Sequence, residues 1–254
     1  MTMRFPFLIL PLLLCACATT APPPQAPDAY RADTFDAPPP GASLTLLPPQ
    51  ETQFDELREG AELLQKQLQK QLSAAGYKVT VLKKDDYVAQ WNQEAAAVGG
   101  VLDAEGHFKD KEYREALGNL LRKTCEASGC AMLLDSRLVV RPAEIIDGQV
   151  EWDGRRIAAA EPSTRSAKAQ RSYGISAEVA GIQPDGSLAF KNYGGTLLPP
   201  QYSMDDIQEF VNKPMTWSDA DLSAGLRIAL QPLFATPVLA PTPAPAPASV
   251  PAGK

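Results

Sequence analysis

The chain has 254 residues, and its composition and charge exclude several functions. Hydrophobic residues make up 44% and charged residues 21%, which is ordinary for a folded domain, while a net charge of −6 without a Lys/Arg cluster argues against nucleic-acid or anionic-lipid binding. The 24 prolines concentrate in 22–49 and 232–251, so about 190 residues remain between these flanks for one domain with its own core.

The N-terminus has the pattern of a secretory signal. One positive charge, Arg4, precedes the apolar run FPFLILPLLL at residues 5–14. As a helix this run spans about 15 Å, half of a bilayer core, and is therefore too short for a stable transmembrane helix. It fits the hydrophobic region of a signal peptide that covers residues 1–16.

A lipid-attachment motif follows the apolar run. Leu14, Cys15, Ala16 and Cys17 resemble the bacterial lipoprotein signal, in which a small residue directly precedes the cysteine that receives lipid. Ala16 precedes Cys17, whereas Leu14 precedes Cys15, so we predict cleavage before Cys17 and acylation there, with palmitate among the acyl chains. The alternative is an ordinary signal cleaved near Ala18, which leaves a soluble periplasmic protein.

Two proline-rich segments flank the domain. Ala18, and not Asp, follows Cys17, and the lack of Asp at this position is associated with delivery to the outer membrane in familiar Gram-negative lipoproteins. We therefore expect an outer-membrane anchor and a domain that faces the periplasm. Residues 17–41 lack an apolar period and are predicted to be an extended tether that reaches up to about 75 Å. The Pro/Ala-rich tail, residues 235–254, is predicted to be polyproline-like or disordered, and a proline-rich recognition motif is the alternative.

The first half of the predicted domain, residues 42–234, begins with a strand, a helix and a second strand. SLTLLPP at 43–49 is typical of a short strand ended by prolines, and AAGYKVTVL ends the helix at Gly76 and enters the next strand. The helix, of about twenty residues, is predicted from apolar residues at steps of three and four. These residues are Phe54, Leu57, Ala61, Leu64, Leu68, Leu72 and Ala75.

Two further helices precede a group of strands. Asp85 or Asp86 is predicted to cap a short helix that runs through Trp91 to Ala97, and GGVLDAEGHFKD is interpreted as a loop. A second long helix is predicted to end near Cys125, before the strand AMLLDSRLVV. Its apolar positions are Tyr113, Ala116, Leu117, Leu120 and Leu121.

The remaining pattern predicts hairpins and a final helix. Asp-Gly turns at 147–148 and 153–154 indicate a hairpin that contains Trp152, and YGISAEVAGIQPDGSLAFKNYGG indicates two strands around a Pro-Asp-Gly turn. Ser218 or Asp219 is predicted to cap a helix over about 218–231. No pair of long amphipathic strands is evident. The order β-α-β-α-α-β-β-β-β-α predicts an α/β (α+β) domain with a mixed sheet and flanking helices.

The element order and several short motifs resemble a recurrent Gram-negative lipoprotein design. The shared features are the N-terminal lipid cysteine, the tether, LTLLPP, a long helix, GYKVTVL and a late GCAMLL strand. The group includes the curli secretion-channel lipoprotein, the periplasmic lipoprotein of Pel polysaccharide export and outer-membrane activators of penicillin-binding proteins, whose core is similar to the N-terminal domain of TolB. Over roughly 42–234 the resemblance implies an anticodon-binding-domain-like fold.

The resemblance also implies a function. We expect a non-catalytic scaffold or accessory subunit of a cell-envelope assembly or export system, with envelope proteins and further copies of the chain as partners. The alternative is a periplasmic ligand-binding module for peptidoglycan or polysaccharide.

Little in the sequence is suited to acid-base or metal chemistry, so no enzyme activity, cofactor or metal is predicted. His107 is the only histidine and lies in a charged loop without a Gly-x-Ser-x-Gly elbow elsewhere. Asp103, Glu105 and Asp110 in the same loop do not match a calcium-binding EF-hand, because placing Gly106 at position 6 leaves a valine at position 1.

The paired carboxylates and the tryptophans receive structural interpretations. The pairs at 85–86 and 205–206 each precede an apolar periodic run and are interpreted as helix caps. Trp91, Trp152 and Trp217 are interpreted as core or edge aromatics, and an exposed one would mark a partner surface.

Cys125 and Cys130 form the remaining pair of interest. Their Cys-x4-Cys spacing, without other thiols or a nearby histidine, does not complete a zinc site. In an oxidising periplasm we expect a disulfide that joins a helix end to the next strand, and two buried free thiols are the alternative. Closing so short a loop contributes only about 2 kcal/mol in the chain-entropy model.

The predicted anchor can be tested by substitution of Cys17. We expect Cys17→Ala to block lipidation and to leave an uncleaved or soluble periplasmic form, because no other cysteine follows a small residue at the end of the apolar run. Labelling with radioactive fatty acid and membrane fractionation measure this outcome. Label that still enters the variant, or wild-type protein that separates from membranes, contradicts the assignment.

Overall fold

One mixed sheet organises the described part of the chain, which comprises residues 26–49, 54–158, 170–199 and 215–234 of the computed structural model. Its strands are β1 Tyr30–Arg31, β2 Ser43–Leu46, β3 Lys78–Val81, β4 Met132–Ile146, β5 Gln149–Trp152, β6 Arg155–Ala158, β7 Gln170–Ile182 and β8 Leu188–Leu197. The order is β1-β8-β7-β4-β2-β3, with β5 paired to β4 and β6. β2 is parallel to β3 and β4, and the other pairs are antiparallel.

Helices flank this sheet, which confirms the predicted α/β class. Among the described residues they are α1 Glu56–Ala74, α2 Lys84–Ala97, α3 Asp110–Ser128, α4 Asp219–Ala229 and α5 Gln231–Phe234. None of these helices is both long and apolar enough to span a bilayer.

The main core lies between one face of the sheet and the helices α1 and α4. The apolar positions predicted for α1 form one side of it, and Leu64, Leu68 and Leu72 are completely buried. Alternate residues of β4, such as Leu134 and Leu138, supply the other side, as the two-residue period of a strand requires.

A smaller core lies on the opposite face, under α3. Leu121 of α3 packs there against Leu133 of β4 and Ile182 of β7. The same cluster contains Cys125 and Cys130, whose sulfur atoms are bonded to each other across the turn at Gly129. The bond therefore connects the end of α3 to the segment that enters β4.

The hairpin of β5 and β6 folds over the same face at the far end of the long strands. Trp152 is buried and donates a hydrogen bond from Nε1 to the carbonyl of Ile175 at 3.2 Å. Its ring lies directly over Gly174 and Gly195, where a Cβ atom would collide with the indole. Each of the two predicted Asp-Gly turns is present, with positive φ at both of its residues.

The structure contains a pair of long strands, although the sequence shows no evident pair of long amphipathic ones. β4 has 15 residues and β7 has 13, and they pair from Leu133–Ile182 to Ile145–Gln170. Pro142 and Gly174 interrupt the expected strand composition in this region. The glycine is required there because the indole of Trp152 occupies the space of its side chain.

The predicted tether is also wrong from residue 26 onward. Residues 26–41 form an arm that packs on the sheet and includes β1, which pairs with β8. Phe35 is buried and its ring lies 5.5 Å from that of Phe190. Tyr77 donates a hydrogen bond from its hydroxyl to the carbonyl of Pro38 at 2.9 Å, and burial raises the pKa of this tyrosine. Sequence periodicity does not detect such single anchoring residues between prolines.

The helix caps agree with prediction at one site and differ at another. Ser218 caps α4 and accepts a hydrogen bond from the backbone N–H of Asp221 at 3.1 Å, as predicted. The N-cap of α2 is Lys83, without a side-chain cap, so the cap prediction for Asp85 and Asp86 is wrong. They lie in the first turn, where negative charge still stabilises the helix dipole. The pair at 205–206 lies outside the described residues.

Close contact between α4 and β8 depends on two glycines. A Cβ on Gly194 would collide with the backbone of Gly225, so Gly194→Ala should lower the free energy of unfolding by about 2 kcal/mol. Gly118 in α3 has open space around it, and Gly118→Ala should instead raise stability by up to about 1 kcal/mol through helix propensity. Urea unfolding measures both, and equal effects of the two substitutions would contradict this packing.

Candidate interaction surface

Helix α2 leaves its apolar side largely uncovered. Its only fully buried residue is Glu94, whereas Val88 is 42% exposed and Trp91 is only partly buried. A helix on a domain surface usually buries its apolar stripe against the core. The apolar side of α2 is therefore available for contact with something outside the described domain.

Polar contacts hold α2 against α3. Lys123 of α3 binds the buried carboxylate of Glu94 at 2.6 Å, and Thr124 donates a hydrogen bond to Gln90 at 2.9 Å. Because the two helices meet partly through these polar groups, the apolar residues of α2 remain at the margin of the contact.

The uncovered residues line a groove between α2, α3, the loop before α3 and the two prolines after β2. We call it the aromatic groove, and its volume is about 530 Å³. It is lined by Pro48, Pro49, Lys84, Tyr87, Val88, Trp91, Phe108, Tyr113 and Leu117.

Three of the rings form a connected group. Tyr113 lies at the centre, with ring centroids 5.0 Å from Phe108 and 5.5 Å from Trp91, both in edge-to-face geometry. Phe108 is 64% exposed, the highest value among the large exposed hydrophobic residues described. Exposed aromatic clusters of this kind are enriched at protein interfaces.

A second feature, which we call the arginine clasp, joins the arm to the sheet. Arg141 of β4 donates hydrogen bonds from both terminal nitrogens to the Asp28 carboxylate at 2.8 and 2.5 Å, and from Nε to Asp153 at 3.0 Å. Ser176 donates to the same Asp153 oxygen at 2.6 Å. The guanidinium carbon also lies 4.1 Å from the ring centroid of Tyr193.

The pKa values in the clasp follow from these contacts. The hydrogen bond from Arg141 lowers the pKa of Asp28 below its ordinary value. Burial opposes the charge of Arg141, but the hydrogen bonds to Asp28 and Asp153 outweigh it and raise the pKa of the arginine. Asp28 and Arg141 are therefore both charged at neutral pH, and the clasp connects the arm, the hairpin and the sheet to one another.

The residues singled out in the sequence are dispersed over the structure. His107 is 79% exposed, and its Nδ1 lies 3.4 Å from the carboxylate of Asp103. Asp103 also accepts backbone hydrogen bonds from Glu105 and His107, which explains its place in the loop. Within the described ranges no group of His, Cys, Asp and Glu could hold a metal ion. Cys17 lies outside the described residues.

The sequence contained only a weak signal for the aromatic groove. Trp91 was recognised as a marker of a partner surface if exposed, and the structure places it in the groove. Phe108 and Tyr113 were assigned to a loop and to a helix face, and nothing in their spacing predicted that their rings meet. The sequence gives no indication of the arginine clasp, because Asp28 and Arg141 are 113 residues apart in the chain.

Comparison with solved structures finds distant likenesses. The PelC dodecamer from Paraburkholderia phytofirmans is 8% identical with a TM-score of 0.35, and the match covers 80% of this chain and 95% of that chain. A variant PelC dodecamer from the same organism is 7% identical with a TM-score of 0.34, and the match covers 78% of this chain and 95% of that chain. The C-terminal domain of LpoB from Salmonella enterica is 14% identical with a TM-score of 0.27, and the match covers 66% of this chain and 88% of that chain.

These values do not establish a family. No protein-family model matches the chain, and no curated protein matches its sequence. The likenesses are too low to assign a function, so the proposals below depend on the features of this chain.

The clasp can be tested by removing the charge of Asp28. Asp28→Asn should speed hydrogen exchange at the amide of Ala32, which bonds to the carbonyl of Ala189, by roughly fivefold, as expected for about 1 kcal/mol from a partly exposed ion pair. Because the pKa of Asp28 is lowered in the folded state, its stabilisation is present above the unfolded pKa and is lost as pH falls through the folded pKa.

The effect of the substitution should therefore disappear in acid, once the pH falls below the lowered pKa of Asp28. Asp33→Asn is the matched control, since Asp33 lies on the same arm and is exposed. An equal effect of both substitutions, or an effect of Asp28→Asn that persists in acid, contradicts the clasp.

Proposed function

We propose that this chain is an outer-membrane lipoprotein whose domain acts as an accessory subunit of a cell-envelope assembly or export system and binds a protein partner. The observation on which this depends is the aromatic groove. Phe108 is exposed and Trp91 and Tyr113 are only partly buried, and α2 buries a glutamate while leaving its apolar residues at the surface. This arrangement costs solvation free energy in the isolated domain, and a partner that covers the rings recovers it.

The groove favours a protein partner over a glycan. The rings of Trp91 and Tyr113 could stack on a sugar, which favours the alternative of a peptidoglycan- or polysaccharide-binding module. However, among the described residues of the lining Lys84 is the only charged one, and none of these residues supplies a carboxylate or a side-chain amide to bind sugar hydroxyls. An apolar surface with aromatic anchors is the usual composition of a protein hot spot.

The anchor is the second part of the proposal. Lipid on Cys17 would leave only residues 18–25 between the membrane and the packed arm, which reach about 25 Å when extended. This is a third of the reach expected from the sequence. The domain would thus stay close to the lipid surface, where its concentration near other membrane-bound partners is high.

Self-association completes the proposal. We include a homo-oligomer among the functional states, since the chain resembles the group of lipoproteins named above. Static light scattering of the domain measures its mass directly.

Photo-crosslinking in cells tests the use of the groove. Replacing Phe108 by p-benzoylphenylalanine should give a discrete protein adduct heavier than the monomer, because this side chain is exposed at the groove. The control position is Ile146, which is 40% exposed at the end of β4 and should give no such adduct.

Two outcomes would contradict the proposed partner. Adducts that form equally from both positions show non-specific contact. An adduct at position 108 that is removed by digestion of peptidoglycan, and not by protease, would favour the glycan-binding alternative.

A further inference from the structure

The aromatic groove has chemistry suited to a polyproline helix. Grooves that bind such helices are lined by aromatic rings and prolines, and they provide donors for backbone carbonyls that lack internal hydrogen bonds. Here Trp91 and Tyr113 supply an indole N–H and a hydroxyl, and neither group donates a hydrogen bond to another residue in the described part of the chain.

The chain contains a segment of matching composition beyond its last described residue. Residues 235–254 read ATPVLAPTPAPAPASVPAGK, with proline at every second position from 241 to 247 and no charged side chain before Lys254. Such a segment loses little conformational entropy on binding, because proline already restricts its backbone. It also brings no charge into the apolar groove.

The point at which this segment begins places the groove within its reach. Phe234 stacks on Tyr77, with ring centroids 6.5 Å apart, and Tyr77 directly precedes β3. Lys84 of the groove follows seven residues later, so the Cα atoms of Tyr77 and Lys84 are at most about 25 Å apart. Twenty residues of polyproline helix span about 62 Å, and about eight of them cover this distance. The residues that then arrive at the groove are those of the alternating stretch 243–247.

We propose that residues 235–254 dock in the aromatic groove of their own chain as a polyproline helix, and that a partner must displace them. The inference rests on the proposed function, because it names a regulator of the same groove. Intramolecular attachment gives the segment an effective concentration in the millimolar range, so weak intrinsic affinity is sufficient. The groove is then covered until a partner of higher affinity arrives.

Nuclear magnetic resonance tests the docking directly. The spectrum of the chain from 18 to 254 is compared with that of the chain ending at Phe234, which retains every described residue. The indole N–H resonance of Trp91 should differ between them, and the difference should not depend on protein concentration. A synthetic peptide of residues 235–254, added to the shorter chain, should move the same resonance toward its position in the longer chain.

Matched variants locate the site. Phe108→Ala, a change at a 64% exposed side chain that should not disturb folding, is expected to weaken peptide binding at least tenfold. Ile146→Ala, at an exposed apolar side chain outside the groove, should leave binding unchanged. A peptide with alanine in place of the four prolines at 241, 243, 245 and 247 should also bind at least tenfold more weakly.

Identical spectra of the two chains would overturn the proposal. A shift that grows with protein concentration would also overturn it, since the occupant would then be the segment of a second copy. Equal binding of the alanine peptide would exclude the polyproline conformation. If docking fails while the adduct at position 108 persists, the proposed function stands without this regulation. If docking succeeds, truncation after Phe234 should raise the yield of that adduct.

Discussion

The pairing of β4 with β7 determines where the other parts of the domain can pack. These antiparallel strands are far longer than β2 and β3, so the sheet extends well beyond the region that α1 and α4 can cover. One face is buried by these two helices. The other face is shared by α3 at one end and the β5–β6 hairpin at the other, and the arginine clasp lies between them. The helices on one face, and α3 and the hairpin on the other, thus pack on residues that alternate along β4 and β7.

This division of the sheet explains why α2 is incompletely buried. α3 is the helix that contacts the sheet, through Leu121 and its disulfide-linked end, and α2 packs mainly on α3. A helix in this outer position has no core of its own to cover its apolar side. The aromatic groove is the result, and its proposed use as an interaction surface depends on this position as much as on its composition.

The sequence predicted those parts of the fold that depend on local periodicity. The amphipathic pattern of α1, the Asp-Gly turns and the Ser218 cap each reflect interactions between residues close in the chain, and each is present in the structure. The arm, the clasp and the length of β4 depend on distant contacts. In the sequence Asp28 and Arg141 are ordinary charged residues, and only the fold brings them into contact. Gly174 has a low propensity for strands, and only the structure shows that the ring of Trp152 occupies the space of its side chain.

The long strands also set the distance between the start of the arm and the aromatic groove. The arm begins beside Arg141, whereas Pro48 and Pro49 of the groove follow Leu46, which pairs with Leu134 of β4. In this register about four to five residues of β4, or roughly 15 Å of hydrogen-bonded sheet, separate the two levels. In the proposed anchored state the height of the groove above the lipid would be set mainly by a stiff element that cannot coil or shorten. A lipoprotein of this design would position its contact surface by the length of its strands.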